Sequence, residues 1–154
     1  MKARTILASL AVFLGAIALA LASDANLGTW KLNEAKSKLA AGGPRNTTVV
    51  YEAAGDNVKV TIDGVDKDGK PAHNEWTGKY DGKDYPVTGD SGSDMRSYKK
   101  VDDHTTEFTV KKDGKVTASG RIVVAADGKS RSVRASSTDA SGKKSSTVAV
   151  YDKQ

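Results

Sequence analysis

The chain has 154 residues, with 24 Lys and Arg against 19 Asp and Glu, a formal charge of +5 and no cysteine. That length suits one domain, and the missing cysteine excludes disulfides, thiolate nucleophiles, Cys-ligated metals and lipobox acylation. The basic residues are mild in excess and interspersed with acids, so no nucleic-acid partner is expected.

Lys2 and Arg4 precede an apolar run from Ile6 to Leu21, and Ala20-Leu21-Ala22 supplies a small-x-small site. This pattern predicts a cleavable signal peptide over 1–22, cut after Ala22, and a secreted or periplasmic product. The run is long enough to act instead as a membrane anchor, but it ends in a processing site rather than basic stop-transfer residues. Cleavage leaves a single domain, 23–154, with 22 basic against 19 acidic residues, a formal +3. No stable membrane insertion is expected after that cut.

The mature part is punctuated by Asp-Gly-Lys at 68–70, 81–83, 113–115 and 127–129, with Ser141-Gly142-Lys143 as a variant. Asp-Gly favours the type I′ hairpin turn, whose two central residues need positive φ. Between the turns, segments such as Val58-Lys59-Val60-Thr61-Ile62 and Glu107-Phe108-Thr109-Val110-Lys111 alternate with period two, one face dry and one wet. The predicted strands are 27–33, 45–53, 57–64, 70–80, 83–88, 95–101, 105–112, 115–125, 129–138 and 143–152. Val116, Ala118, Gly120, Ile122 and Val124 share one side of their strand, and Val123 breaks the pattern. Residues 34–41 read as one short helix after the first strand, stopped by Gly42-Gly43-Pro44.

A row of sequential hairpins has exposed edges unless it closes on itself. The expected fold is therefore all-β, an antiparallel up-and-down meander closing into a single calycin- or lipocalin-like barrel of about eight to ten strands. A two-sheet sandwich is the alternative, although it normally needs longer connections.

Gly28-Thr29-Trp30 at the start of the first strand resembles the opening of the lipocalin and avidin barrels, the calycins. That resemblance implies a Trp30 that plugs one end of the barrel beneath a basic side chain from a late strand, and Arg131 is the candidate. The chain has no Thr-Asp-Tyr segment and no Arg in its last strand, so the likeness is confined to the Gly28-x-Trp30 start. Over 28–154 it is similar to small exported bacterial β-barrel proteins of unassigned function, through GTWKLN at 28–33, YEAAGD at 51–56, YDGKDYPVTG at 80–89 and YDKQ at 151–154.

Catalysis needs converging groups with matched protonation. His73 alternates with Glu75, Thr77 and Lys79 and so faces solvent, while His104 lies in the Asp102-Asp103-His104-Thr105 turn. An inward His73 would suit haem and the acidic turn a loose metal, but the parity and spacing argue for neither. The serines lie outside any Gly-x-Ser-x-Gly elbow, and no glycine-rich phosphate loop is present. No cofactor, no metal and no catalytic set is assigned, and the protein reads as a non-enzyme.

The aromatics Trp30, Trp76, Tyr80, Tyr85 and Phe108 share faces with apolar neighbours and are expected inside the barrel. They pack the core or line a cavity for a small apolar ligand. The expected function is a secreted or periplasmic binding protein for a small hydrophobic or amphipathic molecule. A filled barrel that contacts protein or glycan through loops 89–94 and 42–46 is the alternative.

Overall fold

The computed structural model describes residues 24–154, and the predicted signal peptide lies outside the described residues. Ten strands follow in order: β1 Gly28–Leu32, β2 Arg45–Ala54, β3 Asn57–Val65, β4 Pro71–Gly78, β5 Tyr85–Thr88, β6 Met95–Lys100, β7 Thr105–Lys112, β8 Lys115–Val124, β9 Ser130–Thr138 and β10 Lys144–Lys153. Each pairs with its neighbours in sequence, and β1 pairs with β10 through Lys31↔Asp152 and Leu32↔Tyr151, which closes the barrel. Closure leaves the sheet no free edge, the physical reason a meander of two-faced strands ends this way.

The turns vary the expected chemistry. Only Asp113-Gly114 has positive φ at both residues, 50° and 77°, as a type I′ turn requires. At 66–69, 125–128 and 139–142 the glycine N–H instead donates to the carbonyl three residues back, so a four-residue turn ends in one left-handed glycine. The Asp66 and Asp139 carboxylates hold their loops by accepting from two backbone N–H groups each.

The helix expected over 34–41 is one 3-10 turn, Glu34–Lys36. Two turns of isolated helix are marginal in water, and here the chain has better partners. Asn33 Oδ1 accepts from the Lys36 N–H at 3.2 Å, and Lys38 exchanges two backbone bonds with Val148, drawing the segment onto β10.

The interior holds Trp30, Val49, Tyr51, Val58, Val60, Ile62, Trp76, Val87, Tyr98, Ile122, Val124 and Tyr151. Burying each such side chain contributes roughly 1.5–3 kcal/mol. Val116 departs from the expected parity and is 54% exposed. The β7–β8 register shifts there, with Val110 opposite Ala118 but Lys111 opposite Val116, so Thr117 is an extra residue and Val116 faces away from the side that Ile122 and Val124 share.

The wall is uneven. β9 and β10 pair continuously from Ser130↔Asp152 to Thr138↔Lys144. β5 meets β4 only at Glu75↔Thr88 and Trp76↔Val87, and β6 only at Tyr85↔Arg96 and Pro86↔Met95. Pro86 has no N–H to give, which keeps this strand short.

Candidate functional site

Residues 24–27 cross one end of the barrel and form its floor. Trp30 Nε1–H donates to the Asn26 carbonyl at 2.7 Å, and Asn26 Nδ2–H donates to Thr106 Oγ1 at 3.1 Å. Above them stands Arg131, 3% exposed, its guanidinium carbon 4.7, 4.8 and 5.0 Å from the ring centroids of Trp30, Tyr51 and Tyr151. Its Nη1–H makes a long bond of 3.5 Å to Asn26 Oδ1, and its Nε has no partner. A cation ringed by three aromatic faces is stabilised by their quadrupoles without any counter-charge.

A cavity of about 110 Å³ adjoins Arg131, Tyr51 and Tyr151. Its apolar lining is Val49, Ile62, Phe108, Val110, Ile122 and Val133; its polar lining is Asn46, Tyr51, Tyr98, Tyr151, Arg96 and Arg131. Arg96, on β6, is 6% exposed. Its Nη2–H donates to Asn74 Oδ1 at 3.2 Å, and its Nη1 has no hydrogen-bond partner. Trp76 Nε1–H fixes the β6 backbone by donating to the Arg96 carbonyl at 2.8 Å.

The phenols around the cavity hold their protons firmly. Burial pushes Tyr151 up to about 12, with Arg131 pulling the other way and Tyr98 adding to the rise. Tyr51 is raised further by burial and by Tyr98, against the pull of Arg131. Both remain neutral hydrogen-bonding groups at physiological pH.

Five aromatics were expected inside, and the structure divides them. Phe108 lines the cavity. Trp30 belongs to the floor, and Trp76 is fully packed with its ring 4.7 Å from that of Tyr98. Tyr80 is half-buried, 6.2 Å from Tyr98, with its hydroxyl unpartnered. Tyr85 packs edge-on against Trp76 at 5.8 Å across Gly78, where a Cβ would fall 2.6 Å from both rings. The Tyr85 hydroxyl donates to Asp81 Oδ2 at 2.9 Å, toward the surface turn. Four of the five are therefore packing groups beside the cavity, not its lining. Trp30 and Arg131 are brought into contact.

Arg96 carries the surprise. It shares a strand face with Tyr98, and Met95 lies on the other, so either residue could define the inner face, and hydrophobicity favours Met95. The register put Arg96 inside and left Met95 40% exposed. Tyr51, in phase with Val49, and Tyr151, in phase with Ala149, were legible by parity and overlooked.

The histidines lie outside. His73 is exposed, its Nδ1 2.6 Å from Asp63 and its Nε2 3.6 Å from Glu75, and the hydrogen bond to Asp63 raises its pKa. His104 sits in its exposed turn, where the backbone N–H donates to Asp102 Oδ1. Among the described residues no group of three or more His, Cys, Asp or Glu is placed to hold a metal.

A second recess, about 340 Å³, lies on β8–β10 among small residues such as Ala118, Ser137 and Ser145. Ser137 and Ser145 hydroxyls meet at 2.8 Å. Ala118 here pairs with Val110 of the first cavity, so the two spaces adjoin across the β7–β8 ladder.

No family model and no curated protein matches the chain. Two solved structures with a similar chain course are β-barrels described as bound to DFHBI. EF1p2_mFAP2b is 11% identical with a TM-score of 0.48, over 86% of this chain and 97% of that one. The redesigned barrel mFAP1 is 14% identical with a TM-score of 0.45, over 86% and 98%.

Proposed function

We propose that this chain is an exported, non-enzymatic binding protein that holds a small, partly apolar molecule inside its barrel. The observation that carries this reading is the cavity of about 110 Å³, in which six apolar side chains face six polar ones inside a closed wall. An apolar cavity of about 150 Å³ can hold benzene, so the occupant of this smaller space has at most about six heavy atoms. The lining contains no carboxylate, histidine or serine, which supports binding over acid–base or nucleophilic chemistry.

Export rests on the leader pattern, Lys2 and Arg4 before the apolar run and Ala20-Leu21-Ala22 after it. Exposed Arg121, ion-paired with Glu107, and exposed Arg134 stand on the outer wall, where contact with lipid would be costly, and this favours a barrel in water.

Native mass spectrometry of the full chain, expressed with its leader and purified under native conditions, tests both parts. The expected result is a polypeptide beginning at Ser23 with a small added mass that is lost on denaturation. A bare polypeptide mass, together with failure of benzene-sized probes to perturb the Phe108 and Ile122 resonances, would overturn the binding reading. A chain retaining residues 1–22 would overturn export.

A further inference from the structure

We infer that the ligand of this cavity is an anion, a compact monocarboxylate whose charged end is held by Arg96. This rests on the proposed binding function and specifies its ligand.

The first ground is charge. Among the described residues, Arg96 and Arg131 are the only ionised side chains lining the cavity, and both are positive. A guanidinium does not give up its proton in a protein, so burial cannot neutralise it. No ion pair among the described residues includes either one. The buried carboxylate of Asp24 is outside the cavity lining, and one of its oxygens accepts from the Asn26 N–H in the floor segment. The cavity lining therefore holds two positive charges and no negative one, an arrangement that a bound anion relieves.

The second ground is the contrast between the two cations. Three aromatic faces surround Arg131, which accounts for its burial. No aromatic ring covers Arg96 among the described residues. It spends one Nη2–H on Asn74 and keeps Nη1 without a partner, although it is 94% buried. A buried charged donor left unpaired is costly, and a carboxylate oxygen at Nη1 would supply a short charge-assisted bond.

The third ground is shape. Half of the lining is apolar: Val49, Ile62, Phe108, Val110, Ile122 and Val133. Inorganic phosphate or sulfate has no apolar atoms to set against that half of the lining. A short aliphatic carboxylate of at most about six heavy atoms satisfies both the guanidinium and the apolar side chains.

Calorimetric titration of the mature chain with butyrate, its neutral isostere butyramide, and inorganic phosphate tests this without any variant. Butyrate is expected to bind about tenfold or more tightly than butyramide, with phosphate failing to compete. Arg96→Met should remove that preference, bringing butyrate affinity down to that of butyramide or below. Equal affinity for butyrate and butyramide would sink the anion proposal and leave a small-molecule cavity standing. Phosphate competing as well as butyrate would sink the carboxylate class. Binding of none of the three, with benzene also excluded, would sink this inference and the binding function together.

Discussion

Two buried guanidiniums face one cavity from different settings. Arg131 rises from a floor tied by Trp30, Asn26 and Thr106, and three rings surround its charge. Arg96 stands beside β5, the least paired strand of the wall, with one donor group unpartnered. The difference teaches that burial alone does not define a cation's role. One whose charge is matched by its own protein serves the fold, whereas one left unmatched in a cavity is available to a ligand.

The harshest way to break the floor is Trp30→Ala. It removes the stack on Arg131 and the bond to Asn26, and should cost about 3–5 kcal/mol in urea denaturation. A loss below about 1 kcal/mol would show that the floor does not hold the barrel shut.

The comparison itself is tested by truncating each cation without ligand present. Arg131→Leu gives up its aromatic contacts and should lose about 2 kcal/mol. Arg96→Leu exchanges an unpaired charge for an apolar group and should leave stability unchanged or raise it. Equal losses in thermal and urea unfolding would erase the distinction between the two sites.

A finer probe is Tyr151→Phe, which removes the hydroxyl donor to the Asn46 carbonyl at 3.0 Å and should cost about 1 kcal/mol at neutral pH. Burial raises this phenol from 10.0 to about 12 in the folded protein. The stability linked to it is therefore complete below pH 10.0 and lost as pH rises through about 12. The Phe variant should fall less steeply above pH 10, as followed by tryptophan fluorescence.

The smallest effect belongs to the outer wall, where His73 meets Asp63. Its pKa is raised above the ordinary 6.5, so its contribution is full below that value and disappears as pH rises through the folded one. His73→Ala should remove a slight excess of stability at about pH 5.5 over about pH 8.5, and leave butyrate binding untouched. A change in binding would place this exposed pair in contact with the cavity.

The strands were legible because alternation and turn residues are local properties. Val58, Val60 and Ile62 are buried as their parity demands, and glycine falls in the left-handed region at each recurring turn. The segment after β1 was misread because helix propensity over 34–41 competes with a pairing partner, Val148, more than 100 positions away. Val116 was misread because a bulge at Thr117 puts Lys115 and Val116 out of phase with residues 118–124, and a bulge leaves little mark on composition. The cavity was only half visible: Phe108 was named, but Arg96 was passed over, since a rule that buries apolar groups cannot select a cation.

The order of strands, their turns and most of their inward faces followed from the sequence by itself, since each depends on residues a few positions apart. Only the closed structure decided which inward groups meet across the interior. It left Trp76 and Tyr85 packed against each other, surrounded one arginine with rings, and kept the other in the cavity lining with one donor unpartnered. The physical reason is that barrel closure and bulges fix register around the ring, and register, which no short window encodes, sets which charges share a cavity.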